Sequence, residues 1–232
     1  MTTTTAPSAR AAHAERRGLD RRALAILMPI GPLAIAIVRG ILPYYTTDSN
    51  TVMAAKVAAH QGAETAVIWL TFVAMLTLVP GVIAVGMLAR RHAPRLGTTG
   101  LVLACAGFLS LFWSTVAGSD NVALAAAHLG MHPGTTGALL TSMGKIVPIG
   151  LAANLFVLGH VLGVLLLGIA LWRGRAVPAW AGLLLAASQI LHVVFAIIVP
   201  VHALDGFAWG LTAVGFAAAA VALIREPARA LP

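Results

Sequence analysis

Six apolar runs of about 20 residues limit the possible folds of this chain more than any other feature of the sequence. A helix of about that length crosses the roughly 30 Å hydrocarbon layer of a bilayer. Such runs fold as helices because every backbone polar group inside the bilayer needs an internal hydrogen-bond partner. We therefore predict an all-α polytopic bundle of six spans, at residues 23–44, 66–89, 99–118, 147–172, 178–201 and 207–224.

The composition agrees with a membrane domain flanked by two short tails. The chain is 59% hydrophobic and only 9% charged, which is unusual for a soluble domain. Residues 1–22 are rich in Thr, Ala and Arg and predict a disordered cytoplasmic tail, residues 23–224 form the membrane domain, and residues 225–232 form a second cytoplasmic tail. The first run is too long for the apolar core of a signal peptide, so we expect it to be retained as a span.

The net charge of +8 is divided between the two sides of the predicted bundle. One side carries these arginines: Arg10, Arg16, Arg17, Arg21, Arg22, Arg90, Arg91, Arg95, Arg173, Arg175, Arg225 and Arg229. The other side is close to neutral. The positive-inside rule then predicts a multi-pass protein of the bacterial cytoplasmic membrane with both termini in the cytoplasm. Nucleic acid is not an expected partner, because the basic residues form no domain separate from the membrane connections.

The connections between the spans also carry a resemblance. The chain reads LVPG at 78–81, RRHAPR at 90–95 and LWRGRAVPAWAG at 171–182. These segments resemble a broad group of uncharacterised six-helix integral membrane proteins of high-GC bacteria, and the likeness covers most of the second to fifth spans. The resemblance implies a six-helix membrane fold, and it carries no activity and no catalytic residues.

Polar side chains inside the predicted spans are the first candidates for a functional site, because polar groups are costly in hydrocarbon. The candidates for ligand binding are Asn154, His160, Ser188, Gln189 and His192. His160 and His192 lie at similar depths in neighbouring antiparallel spans. They could ligate a b-type haem from both faces, form interhelical hydrogen bonds, or contact another ligand.

A second group of histidines lies outside the spans, on the neutral side. The candidate metal ligands are His60, His128, His132 and His202, with carboxylates nearby in the sequence. Imidazole and carboxylate groups suit zinc or copper, and an open coordination position would allow hydrolysis. No HExxH pattern supports such a site, and histidines at helix ends also have a structural explanation in the helix dipole. On the same side, Arg39 is expected to reach the interface and pair with Asp48 or Glu64.

Several functions are disfavoured by what the sequence lacks. It has no Walker-type or dinucleotide-binding glycine loop, and no carboxylate lies in the middle of a predicted span. We expect a protein that binds or passes a small apolar or weakly polar molecule, with the lipid bilayer as its other partner. The alternatives are a bis-histidine haem protein for electron transfer, a membrane enzyme or metal site built on the outer histidines, and an accessory subunit.

Overall fold

The computed structural model describes residues 9–116 and 118–225, which are almost entirely helical. The helices in chain order are α1 (Ala9–Ile41), α2 (Asn50–Ala59), α3 (Gln61–His92), α4 (Pro94–Val116), α5 (Ser119–His128), α6 (Pro133–Gly144), α7 (Val147–Arg173), α8 (Ala179–Val193), a π-helix (Val194–Ile198) and α9 (His202–Arg225).

Six of these helical segments are long and apolar enough to cross a membrane, which confirms the predicted number of spans. They are Arg21–Ile41, Gln61–His92, Pro94–Leu111, Val147–Arg173, Ala179–Ile198 and His202–Arg225. The predicted disordered tail at residues 1–22 differs from the structure, because α1 already begins at Ala9. Ala, Arg and Glu favour helix, so this segment extends the helix of the first span at little cost. Residues 1–8 and 226–232 of the predicted tails lie outside the described residues.

The closest helix pair in the bundle is α4 with α7, and glycine allows that contact. A Cβ atom at Gly163 would lie 2.3 Å from the backbone nitrogen of Ala104, and one at Gly107 would lie 2.3 Å from the backbone nitrogen of His160. The two backbones therefore touch, as small residues allow in membrane bundles. This contact fixes the position of His160 on α7 relative to α4.

The two ends of the bundle are packed differently. The end that carries the turns at residues 90–95 and 173–175 has a dense apolar core, in which Leu167, Leu171, Leu185 and Phe216 are completely buried. We call the opposite end the distal end. There, α2, α5 and α6 pack on one another over a small separate cluster that includes Met53, Val57 and Leu140.

Candidate functional site

A cavity of about 550 Å³ lies in the distal half of the bundle. Its walls come from α1, α3, α7, α9 and the junction of α8 with the π-helix, and residues of α5 and α6 cover it. Most of the lining side chains are apolar, and a few polar groups converge among them. This size and lining are typical of sites for small organic molecules.

His160 contributes a buried hydrogen-bond acceptor to the cavity wall. Its Nδ1 lies 2.6 Å from the carbonyl oxygen of Phe156, one turn earlier in α7. A carbonyl oxygen only accepts, so Nδ1 carries the proton and the lone pair of the neutral ring is on Nε2. The Nε2 atom is buried and has no hydrogen-bond partner among the described residues. The ring is held in place by stacking on Phe156 at 4.3 Å between centroids.

His192 is held by a buried ion pair between α1 and α9. Asp205 is completely buried and accepts hydrogen bonds from Arg39 Nε and, at 2.5 Å, from His192 Nδ1. Arg39 also donates to the hydroxyl of Thr46. Because Arg39 balances the charge of Asp205, a neutral His192 leaves this group without net charge. The lone pair of His192 is then on Nε2, as in His160.

Trp209 packs beside both imidazoles and lines the same cavity. Its indole Nε1 lies 3.1 Å from His192 Nδ1, the atom that also contacts Asp205. Nδ1 cannot accept from Trp209 while it donates to Asp205. The contact with the carboxylate prevails because it is shorter and charge-assisted. A π-helix follows His192 directly, and π-turns of this kind are frequent at functional sites.

The two imidazole rings lie close together, with centroids 5.4 Å apart and planes tilted by 54°. Two metal–imidazole bonds of about 2.0 Å and two ring radii of about 1.1 Å would put the centroids about 6 Å apart across one iron. A porphyrin would also need a flat slot between the rings. Trp209 occupies that region, with centroid distances of 5.9 Å to His160 and 5.3 Å to His192. The residues present therefore do not fit a haem.

Three of the five predicted ligand-binding residues do not line the cavity. Ser188 and Gln189 are buried between α8 and α9, where they bond to the hydroxyl of Thr212 at 2.8 and 3.0 Å. Asn154 is exposed and donates to the carbonyl of Gly150 in its own helix. Only the two predicted histidines, His160 and His192, belong to the site.

The structure does not assemble the predicted metal site. His60, His128 and His132 are exposed, and His132 accepts from the backbone N–H of Gly134 as the N-cap of α6. His202 packs its ring 4.1 Å from that of Tyr45. Within residues 9–116 and 118–225, no group of three His, Cys, Asp or Glu residues is arranged to hold a metal ion. These positions share the distal end of the bundle, but their side chains do not converge.

An acidic group lies where the cavity meets α5. Tyr44 donates its hydroxyl proton to Asp120, and both residues line the cavity. Burial raises the pKa of the Asp120 carboxyl above its usual value, although the hydrogen bond from Tyr44 lowers it. Burial, followed by the charge of Asp120, raises the pKa of Tyr44. Nearby, Glu64 is completely buried, and its carboxylate oxygens have no hydrogen-bond partner in the described part of the chain.

Sequence reasoning missed Arg39, Asp205 and Trp209 as members of the site. The partner predicted for Arg39 was Asp48 or Glu64, and that prediction is wrong because Asp205 is its partner. Asp205 and Trp209 are one turn apart on α9, so their shared face could have been recognised. The pairing of Asp205 with Arg39, which spans 166 positions of the chain, had no local signal.

The comparisons with known proteins transfer no role to this site. No family model matches the chain, and comparisons with curated proteins and with solved structures found no match.

Proposed function

We propose that this protein binds a small, largely apolar molecule in the distal cavity, with the polar end of the molecule against His160 and His192. The observation that carries the proposal is a mostly apolar cavity of about 550 Å³ lined by His160, whose buried Nε2 has no hydrogen-bond partner among the described residues. An unpartnered buried polar atom is costly, and a bound molecule that reaches it would remove that cost.

The outer surface of the cavity wall supports a ligand that arrives from the bilayer. Ala153 and Val157 on α7 and Ile197 on the π-helix line the cavity and have exposed side chains. In a membrane, the outer surface of these helices faces lipid. A lipid-soluble molecule could therefore reach the cavity between α7 and the π-helix without first crossing an aqueous compartment.

The packing favours binding over passage through the bundle. The residues that line the cavity lie in the distal connections or in the distal part of the spans, and the deepest on α7 is Val161, near the middle of that helix. Beyond that level, Leu167, Leu171, Leu185 and Phe216 are completely buried in a continuous apolar core. A molecule in the cavity would have to separate this core in order to continue through the membrane.

Two neighbouring positions on α7 provide a matched test. Val157 lines the cavity and Leu158 does not, although both are exposed aliphatic residues. The wild-type protein, Val157→Trp and Leu158→Trp would be purified in the same detergent, and small molecules that copurify would be extracted and identified by mass spectrometry. We expect a compound that is present in the wild type and in Leu158→Trp but depleted in Val157→Trp. Identical extracts from all three proteins would refute the proposal.

We also propose that the protein lies in the bacterial cytoplasmic membrane with both termini in the cytoplasm. The support is the concentration of arginine at the end of the bundle where α3 joins α4 and α7 joins α8. A C-terminal fusion to green fluorescent protein should fluoresce, and a fusion to alkaline phosphatase should be inactive. The reverse pattern would contradict this orientation.

A further inference from the structure

The protonation states of His160 and His192 limit the chemistry of the ligand, and this inference rests on the proposed binding function. Each ring uses its Nδ1–H for a partner within the protein, the Phe156 carbonyl at 2.6 Å and the Asp205 carboxylate at 2.5 Å. Both rings line one cavity, with their centroids 5.4 Å apart. Each of the two rings that line the cavity therefore has its lone pair, a hydrogen-bond acceptor, on Nε2.

The charges around the two rings restrict the ligand further. Arg39 and Asp205 cancel each other, and the two neutral imidazoles add no charge. A ligand with a carboxylate or phosphate would direct its oxygen lone pairs at the lone pairs of Nε2. A cationic ligand would place a charge in an apolar cavity beside Arg39, with no unpaired carboxylate at the imidazoles to balance it. An uncharged hydrogen-bond donor avoids both costs.

We propose that the cavity recognises a lipophilic alcohol or phenol, whose uncharged hydroxyl group donates to Nε2 of His160 or His192. The apolar body of the molecule would fill the remainder of the cavity and contact side chains such as Val157 and Ala196. Because α7 and the π-helix both line the cavity, a long apolar chain could extend between them into the bilayer. The hydroxyl group thus provides selectivity, and the burial of apolar surface provides most of the affinity.

A transition metal ion is the competing occupant, because histidines that bind metals also engage the other ring nitrogen with a carboxylate or carbonyl group. Two observations favour the alcohol. The described residues offer no third His, Cys, Asp or Glu arranged to complete a metal site with these rings. The Asp205 charge that would help to balance a cation is already neutralised by Arg39.

The test uses the wild-type protein in nanodiscs of phosphatidylcholine and phosphatidylglycerol, with a diazirine-bearing octanol as a photoactivatable probe. Labelled residues are located by mass spectrometry, and 1-decanol or its methyl ether is added as a competitor. The ether is the more lipophilic compound and lacks only the hydroxyl donor. We expect labelling at the cavity wall and competition by 1-decanol at a concentration in the bilayer about tenfold lower than that of the ether. An ether that competes equally well or better would overturn the proposal.

A variant identifies the acceptor. His160→Phe keeps an aromatic ring against Phe156 but removes one of the two Nε2 acceptors, so it should reduce the advantage of 1-decanol over the ether, and a complete loss identifies His160 as the acceptor. His132→Phe, at an exposed position away from the cavity, should retain it. The competition in the wild-type protein decides the proposal even if His160→Phe does not fold.

The outcomes separate this inference from the proposed function. Suppose that the probe labels the cavity wall, that Val157→Trp blocks the labelling, and that 1-decanol and the ether compete equally well. This result supports the binding function and refutes the proposal that the ligand is an alcohol. No labelling of the cavity wall counts against both. Stoichiometric zinc or copper that is present in the purified wild-type protein and absent from His160→Phe would show that the site binds a metal ion, and it would overturn the proposal of an alcohol.

Discussion

Loss of the Asp205 carboxylate charge should be among the most damaging single changes in the distal half of the protein. Asp205 is completely buried and Arg39 is only 15% exposed, so both charges are largely removed from water. In Asp205→Asn, the guanidinium group would lose its ionic partner and keep the hydrogen bond to Thr46, with only a neutral amide oxygen as acceptor at position 205. Arg39→Met would leave the carboxylate with only His192.

The expected loss of unfolding free energy depends on whether one partner of the buried ion pair is deleted or both are. Breaking one by deleting a single partner costs about 3–5 kcal/mol, because the remaining charge stays buried without compensation. Removing both charges eliminates that penalty. We therefore expect each single variant to lose about 3–5 kcal/mol of unfolding free energy. The double variant should lose less than the sum, with a coupling energy of about 2 kcal/mol.

The assay is reversible unfolding by sodium dodecyl sulfate in mixed micelles, followed by circular dichroism, for the wild type, both single variants and the double variant. The control is the pair of Lys56 and Asp48, whose side chains are 34% and 18% exposed. An exposed pair should give a coupling of at most about 1 kcal/mol. Coupling energies that are equal for the two pairs, or strictly additive losses for Arg39 and Asp205, would refute the reasoning.

Four further predictions can be checked with the same protein preparation. Gly163→Ala should destabilise the bundle by about 1–3 kcal/mol, since its Cβ would lie 2.3 Å from a backbone nitrogen of α4, whereas Gly210→Ala, with no atom within 4 Å, should be neutral or slightly stabilising in the same unfolding assay. Glu64→Gln should leave the melting temperature unchanged or raise it at neutral pH, because it removes a buried, unpartnered carboxylate, and a clear decrease would contradict this. The raised pKa of Asp120 predicts that the unfolding free energy falls as the pH rises from about 4 through the folded-state pKa, and that Asp120→Asn reduces this slope in melting curves recorded against pH. Protein from cells supplied with a haem precursor should be colourless, and a Soret band that is lost in His160→Ala would overturn the argument from Trp209.

The spans could be predicted from the sequence because the signal for each one is local. An apolar run and the bilayer thickness together specify a helix without reference to the rest of the chain. The start of α1 at Ala9 was missed because a polar segment next to a span gives no periodic apolar pattern, although its residues favour helix. The pairing of α4 with α7 through Gly107 and Gly163 also lay beyond prediction, since many glycines in the chain could have made such a contact.

The site could be predicted only in part, because it depends on which helices are neighbours. His160 and His192 were found because polar residues inside spans are rare and their depths can be estimated by counting. Asn154 is also a polar residue inside a predicted span, but its side-chain amide donates to the carbonyl of Gly150 in its own helix and the residue is exposed. The four outer histidines were grouped by residue type and membrane side, and neither property determines whether side chains converge.

Arg39 connects the fold to the chemistry of the cavity, although the apolar molecule we propose would contact mainly other residues. If Arg39 were absent, the buried charge of Asp205 would be balanced most readily by a second proton on His192, the remaining cationic partner in contact with it. That proton would occupy Nε2 and turn an acceptor into a donor. At His192 the cavity would then no longer favour alcohols over ethers or ketones, because hydroxyl, ether and carbonyl oxygens all accept a hydrogen bond. Under the proposed function, a salt bridge that resembles an ordinary interhelical contact between α1 and α9 would therefore set the hydrogen-bonding role of His192 Nε2.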